Sequence, residues 1–157
     1  MNQHGEEHQV VVASVREALF ALMEKKEYSG ITVCELCRKA GIARSTFYRN
    51  YDSKDSVLRA SMQDVFLEFD RQYFPETLDD RYKEKYIREV TEYVARYQKR
   101  LKCISRANLS NIYLEEFNRH LLNTYRRGLE HQDKIRIYSV AGAQYNLIFN
   151  LSMKNQT

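Results

Sequence analysis

The sequence predicts an all-α fold: a three-helix head followed by an antiparallel helical-bundle body. Two observations carry that expectation. Across 157 residues there are 5 glycines and 1 proline, so little interrupts a helix. Apolar residues recur every three or four positions along most of the chain, without the alternation that marks strands.

The elements follow in order. Val12, Val15, Leu19, Leu22 and Met23 predict a first helix from about Val10 to Lys26, ended by Tyr28-Ser29-Gly30. Thr32 with Glu35 three positions on forms a capping box, and Ile31 and Leu36 are spaced as a hydrophobic staple. Val33, Leu36, Cys37 and Ala40 give this second helix its apolar face. Gly41 suits the left-handed residue that ends it. After Gly41-Ile42, a short helix from Ala43 to Tyr51 buries Phe47 and Tyr51. Arg44, Ser45, Tyr48 and Arg49 are left to face outward. Ser53 caps a fourth helix from Lys54, with Val57, Leu58, Met62, Val65, Phe66 and Phe69 inward, ending before Phe74-Pro75.

Beyond the boundary at Pro75–Asp80, Tyr86, Val90, Tyr93 and Tyr97 predict a helix from Tyr82 to about Tyr97. A short helix holds Leu101 and Ile104, and Asn108–Asn111 reads as a loop. Ile112 to about Leu129 is helical through Phe117, Leu121, Leu122 and Tyr125. Glu130-His131-Gln132 turns the chain. The last helix runs from Asp133 to about Met153, with Ile137, Tyr138, Ala141, Tyr145, Ile148 and Phe149 inward. The expected domains are a head at 1–54 and a body at 55–157.

Composition excludes several classes. A hydrophobic fraction of 43% with 29% charged residues fits a folded globular protein. No apolar run approaches the roughly 20 residues that span a bilayer, and the N-terminus lacks an apolar signal core. A cytoplasmic, non-membrane protein is expected. The 3 cysteines are an odd number, against a disulfide framework. Cys34-Glu35-Leu36-Cys37 is a CxxC without a second pair, so no metal is assigned; Cys37 falls on the buried face and Cys34 on the exposed one. His120 has no evident acid partner. Without a nucleophile–base pairing or a phosphate-cradling glycine loop, neither an enzyme nor a cofactor is expected.

The net charge of +4 says little, but its distribution says more. Arg38, Lys39, Arg44, Arg49 and Lys54 lie within seventeen residues that hold one acid, Asp52. Two helices joined by a tight glycine turn make a helix-turn-helix, whose second helix enters the major groove of DNA. Arginine reads guanine edges, and Ser and Thr reach bases or phosphates. The helix N-termini at Thr32 and Ser53 offer N–H groups to phosphate.

The stretch Ile31-Thr32-Val33, Ala40-Gly41-Ile42, Ser45-Thr46-Phe47-Tyr48-Arg49-Asn50-Tyr51, Ser53-Lys54-Asp55 and Val57-Leu58 resembles the signature of the tetracycline-repressor (TetR) family. The resemblance covers roughly the first third of the chain. It implies a DNA-binding head and a helical body that binds an effector and forms a homodimer. It implies DNA contacts from Thr32, Arg44, Ser45, Thr46, Tyr48 and Lys54, to which Arg49 and Asn50 are added. Asn50 stands where the family often has a phosphate-binding His, and Ala43 where it often has Ser. The family usually ends on two dimerising helices, and this sequence stops after the first of them, so the last is either absent or lies beyond this sequence. Phe66, Phe69, Tyr93, Tyr97, Phe117, Tyr125 and Tyr145 are candidates to line an effector pocket. The function expected is a sequence-specific transcriptional regulator, a ligand-responsive repressor acting as a dimer on a pseudo-palindromic operator of double-stranded DNA. The alternative is a helix-turn-helix regulator controlled by a protein partner, with no small-molecule effector.

Overall fold

The computed structural model describes residues 3–73, 75–126 and 131–152. Among these residues there is no strand, and eight α-helices account for most of the chain. No helix among them is long and apolar enough to cross a membrane. The chain divides into two compact units, Met1–Ser61 and Met62–Thr157.

In the first unit, α1 (Gln3–Met23) packs against α2 (Val33–Ala40), and α3 (Arg44–Asn50) follows α2. α1 begins seven residues earlier than its apolar pattern. Val15, Leu19, Leu36, Phe47, Val57 and Leu58 are fully buried and form the core of this unit. The capping box of α2 is complete. Thr32 Oγ1 accepts from the Glu35 amide at 3.2 Å, and the Thr32 amide donates to Glu35 Oε2 at 3.0 Å. Ile31 and Leu36, the two staple positions, are both buried. Gly41 closes α2 at φ 70°, ψ 32°. A side chain there would carry the left-handed penalty of about 1–2 kcal/mol. Ser53 and Ser56 make a reciprocal cap at the start of α4 (Lys54–Tyr73), each amide donating to the other's hydroxyl at 3.2 Å.

In the second unit, a 3-10 turn at Asp79–Tyr82 precedes α5 (Glu84–Arg96), the helix expected from Tyr82, which starts two residues later. Thr77 and Asp80 cap that turn reciprocally, their amide-to-side-chain bonds 2.8 and 3.3 Å long. α6 (Gln98–Arg106) holds Leu101 and Ile104 as expected. Asn108, at φ 57°, is the left-handed residue before α7 (Ser110–Thr124). α8 (His131–Asn146) absorbs His131 and Gln132, which were expected in a turn; Glu130 and Leu129 lie outside the described residues. α8 passes into a π-helical turn, Leu147–Ser152, and Met153 lies outside the described residues. The buried stripe of α8 is Ile137, Val140, Ala141 and Gln144, continued by Ile148 and Phe149 in the π-helical turn. Tyr138 is 51% exposed, contrary to expectation: it sits one residue past Ile137 and is turned about 100° away from that stripe. Phe69, Tyr86, Val90 and Tyr93 form an aromatic centre of this unit, with the Phe69 ring edge-on to Tyr86 and Tyr93 at 5.5 and 5.1 Å.

Candidate functional site

α3 is held from below by Phe47, which is fully buried with the Tyr51 ring 5.8 Å away. One helical turn fixes what faces outward. Arg44, Ser45, Tyr48 and Arg49 are exposed, Tyr48 by half its surface. The Arg44 guanidinium lies 6.0 Å from the Tyr48 ring centre, so the two form one cationic and aromatic surface. Ala43 is the N-cap of α3 and makes no side-chain cap bond, so the first amides of α3 lack a side-chain cap. Thr46 is half-buried. Asn50 folds back, its Nδ2 donating to the Thr46 carbonyl at 2.7 Å.

Two expected contact residues are tied into the head. The Thr32 hydroxyl serves the capping box. The Lys54 ammonium donates to the carbonyls of Tyr28, Ser29 and Ile31 at 2.6, 3.3 and 2.9 Å. It also lies 4.4 Å from the Tyr28 ring centre. An ammonium has three donors, and all three are committed. Lys54 thus brings its positive charge to the start of α4 while closing the turn at Tyr28–Gly30. The Tyr28 hydroxyl donates to Asp55 at 2.5 Å, and burial, then Asp55, push its ionisation well above the usual tyrosine value. At the start of α2, Lys26 bonds Glu35 at 2.9 Å. That bond and the Thr32 amide hold the Glu35 carboxyl down at about 2. Cys37 is buried, its thiol pushed up by desolvation, and Cys34 is exposed, as their helical spacing predicts.

Residues 15–61 match the family described as "Bacterial regulatory proteins, tetR family". The likeness to that family lies in the first unit of the chain. The chain is also 40% identical over 57 residues to "Uncharacterized HTH-type transcriptional regulator YxbF" of Bacillus subtilis (strain 168), a match covering 33% of this chain. It spans only 15% of that relative's length. The capping box, the left-handed Gly41 and the exposed α3 face all fall inside the tetR-family match.

The second unit holds a cavity of about 40 Å³. Of the expected pocket residues, Phe66, Phe69, Tyr93 and Phe117 line it. Tyr97, Tyr125 and Tyr145 do not: their hydroxyls bond Glu68, Pro75 and Ser110 at 2.9, 3.2 and 2.8 Å. One end of the cavity is polar, and sequence reasoning missed it. Arg81, 3% exposed, donates to the Tyr86 hydroxyl at 2.5 Å, to Tyr125 at 2.9 Å and to Asp70 at 3.2 Å. Burial alone works against the Arg81 charge, and Tyr86 and Asp70 more than offset it. His120 does have an acid partner: its Nε2 is 2.7 Å from Asp70. Asp70, Arg81, Tyr86, His120 and Gln144 come from five separate elements. No local spacing in the sequence could have joined them.

Proposed function

We propose that this chain is a sequence-specific DNA-binding transcriptional regulator that acts as a homodimer and responds to a small-molecule effector. The observation that carries the reading is the exposed face of α3 on a fully buried Phe47 anchor, within the tetR-family match. Arg44, Ser45, Tyr48 and Arg49 present donors suited to base edges and phosphates. Lys54, its donors held by the Tyr28, Ser29 and Ile31 carbonyls, fixes the start of α4 beside that surface, and Thr32, Thr46 and Asn50 flank it. Two such heads on one pseudo-palindrome would occupy successive major-groove faces.

A dimer is supported by α8, where Ile135 and Tyr138 are exposed and share a face by helical spacing with Asn146. Effector response is supported by the cavity in the second unit. α4 is one unbroken helix from Lys54, which anchors the head, to the turn bearing Phe66, Phe69 and Asp70 at the cavity. A ligand that favours one setting of that helix would change DNA affinity, and DNA would change ligand affinity by the same factor.

Selection of the purified full chain on random duplex DNA, with the mass of the complex measured, tests the reading. A two-fold symmetric site bound by two chains, or two pairs, is expected. A dimer that enriches no sequence overturns it.

A further inference from the structure

We propose that the cavity in the second unit recognises a small, uncharged carbonyl compound, whose oxygen accepts from Gln144 Nε2 and the Tyr86 hydroxyl while its carbon skeleton packs on Phe66, Phe69 and Phe117. This rests on the reading of the second unit as an effector-binding body, and it adds the chemistry of the effector.

Three observations converge. Gln144 is 6% exposed and lines the cavity, and among the described residues its Nε2 makes no hydrogen bond of good geometry; the Tyr86 hydroxyl is the polar group beside it, so one of its two N–H groups at least is left over. A buried donor left so costs free energy, and native proteins keep few of them. The Tyr86 oxygen already accepts from Arg81 at 2.5 Å, so its own hydrogen is left to donate. The polar end therefore presents two donors. A carbonyl oxygen, with two lone pairs, is the group that accepts from both.

The charge balance selects a neutral ligand. Both Asp70 oxygens are engaged, by Arg81 at 3.2 and 3.4 Å and by His120 at 2.7 Å. The Arg81 cation already has its counter-charge. An incoming carboxylate would bring a second anion beside Asp70 in an apolar setting, which is costly. Size is set by the volume of about 40 Å³. At roughly 10–15 Å³ per water position that is about three waters, or about 90 Å³ of liquid. That is the scale of a ketone of a few carbons, and a five-membered ring enters only as the side chains lining the cavity yield. The π-helical turn that starts at Leu147 carries Ile148 into the cavity lining. Single π turns are frequent at functional sites.

The probes are cyclopentanone, cyclopentane and butyrate, titrated into the full chain by heteronuclear NMR and thermal melting. Cyclopentanone should bind saturably and raise the melting temperature by about 5 °C at ten times its dissociation constant. Gln144→Leu should weaken cyclopentanone about tenfold and leave cyclopentane within about twofold. Continued cyclopentane binding shows that the variant keeps its cavity. Equal affinity for ketone and hydrocarbon, tightest binding of butyrate, or no saturable binding would overturn the inference. A protein that selects a DNA site yet takes no ketone refutes this inference alone; failure to select DNA while binding ketone refutes the regulatory reading alone.

Discussion

Lys54→Met separates two roles that a lysine at the start of α4 can have. The methionine keeps an unbranched apolar stem but removes the charge and all three donors. The structure gives those donors to the carbonyls of Tyr28, Ser29 and Ile31, with the Tyr28 ring 4.4 Å away. A hydrogen bond to a charged group contributes about 1.5–3 kcal/mol. Three on one ammonium do not add, and Lys54 is half-buried, so water replaces part of the loss. The cation–π contact adds about 0.5–1 kcal/mol. A net cost of about 2–3 kcal/mol follows, which lowers the melting temperature of a unit this size by about 10–20 °C. Circular dichroism melting of the full chain reads it. The same protein tested for salt-dependent DNA binding should keep the parent's slope, with a change well below the roughly 0.9 of one phosphate contact. Melting within a degree of the parent, with the slope reduced by one full phosphate, would refute the reasoning and place the ammonium on DNA.

Other perturbations read other parts of the head. Phe47→Ala empties a fully buried ring position and should cost about 3–5 kcal/mol, seen as loss of the head's cooperative melting; native melting would contradict its burial. Arg44→Ala and Tyr48→Ala should weaken specific DNA binding by about 1–3 kcal/mol with unchanged helicity, and unaltered affinity by gel shift would move the docking face elsewhere. Glu35 ionises at about 2 in the folded head against an ordinary 4.5, chiefly through its bond with Lys26. A lowered folded value means stability that is fully present above 4.5 and is lost as the pH falls through about 2. The destabilisation caused by Glu35→Gln should accordingly shrink as the pH drops across that window; a penalty constant with pH would mean that the Lys26 bond contributes nothing.

The head was legible because each of its signals is local. Thr32 and Glu35, Gly41, and Phe47 with Tyr51 each act within one or two helical turns, so their spacing states their geometry. The inward commitment of Lys54 was not legible, since its acceptors lie 23 to 26 residues back in a 3-10 turn that composition marks only as a break. The same rule separates success from failure in the second unit. Phe66 and Phe69 were placed by the apolar stripe of α4. Tyr125 and Tyr145 carry the same chemistry at the same helical spacing, yet they hold their hydroxyls on loop and helix-end partners. A tyrosine's position on a helix predicts its burial, whereas the destination of its hydroxyl depends on chain segments that sequence spacing does not relate.

Tyr138 shows the limit from the other side. Its neighbours Ile137, Val140 and Ala141 are buried, so an inward tyrosine looked natural, but a helix has room for one stripe, and Gln144 rather than Tyr145 continues it. A polar residue in an otherwise apolar stripe, with no hydrogen bond of good geometry for its donor, costs stability and is kept where something offsets the cost. On α8 the exposed Tyr138 and the buried Gln144 thus break the pattern in opposite senses. The first leaves an apolar side chain in water, where a second copy would cover it; the second leaves a donor in the core, where a carbonyl would meet it. Both departures from the apolar pattern fall on the one helix to which the regulator reading assigns partner and ligand.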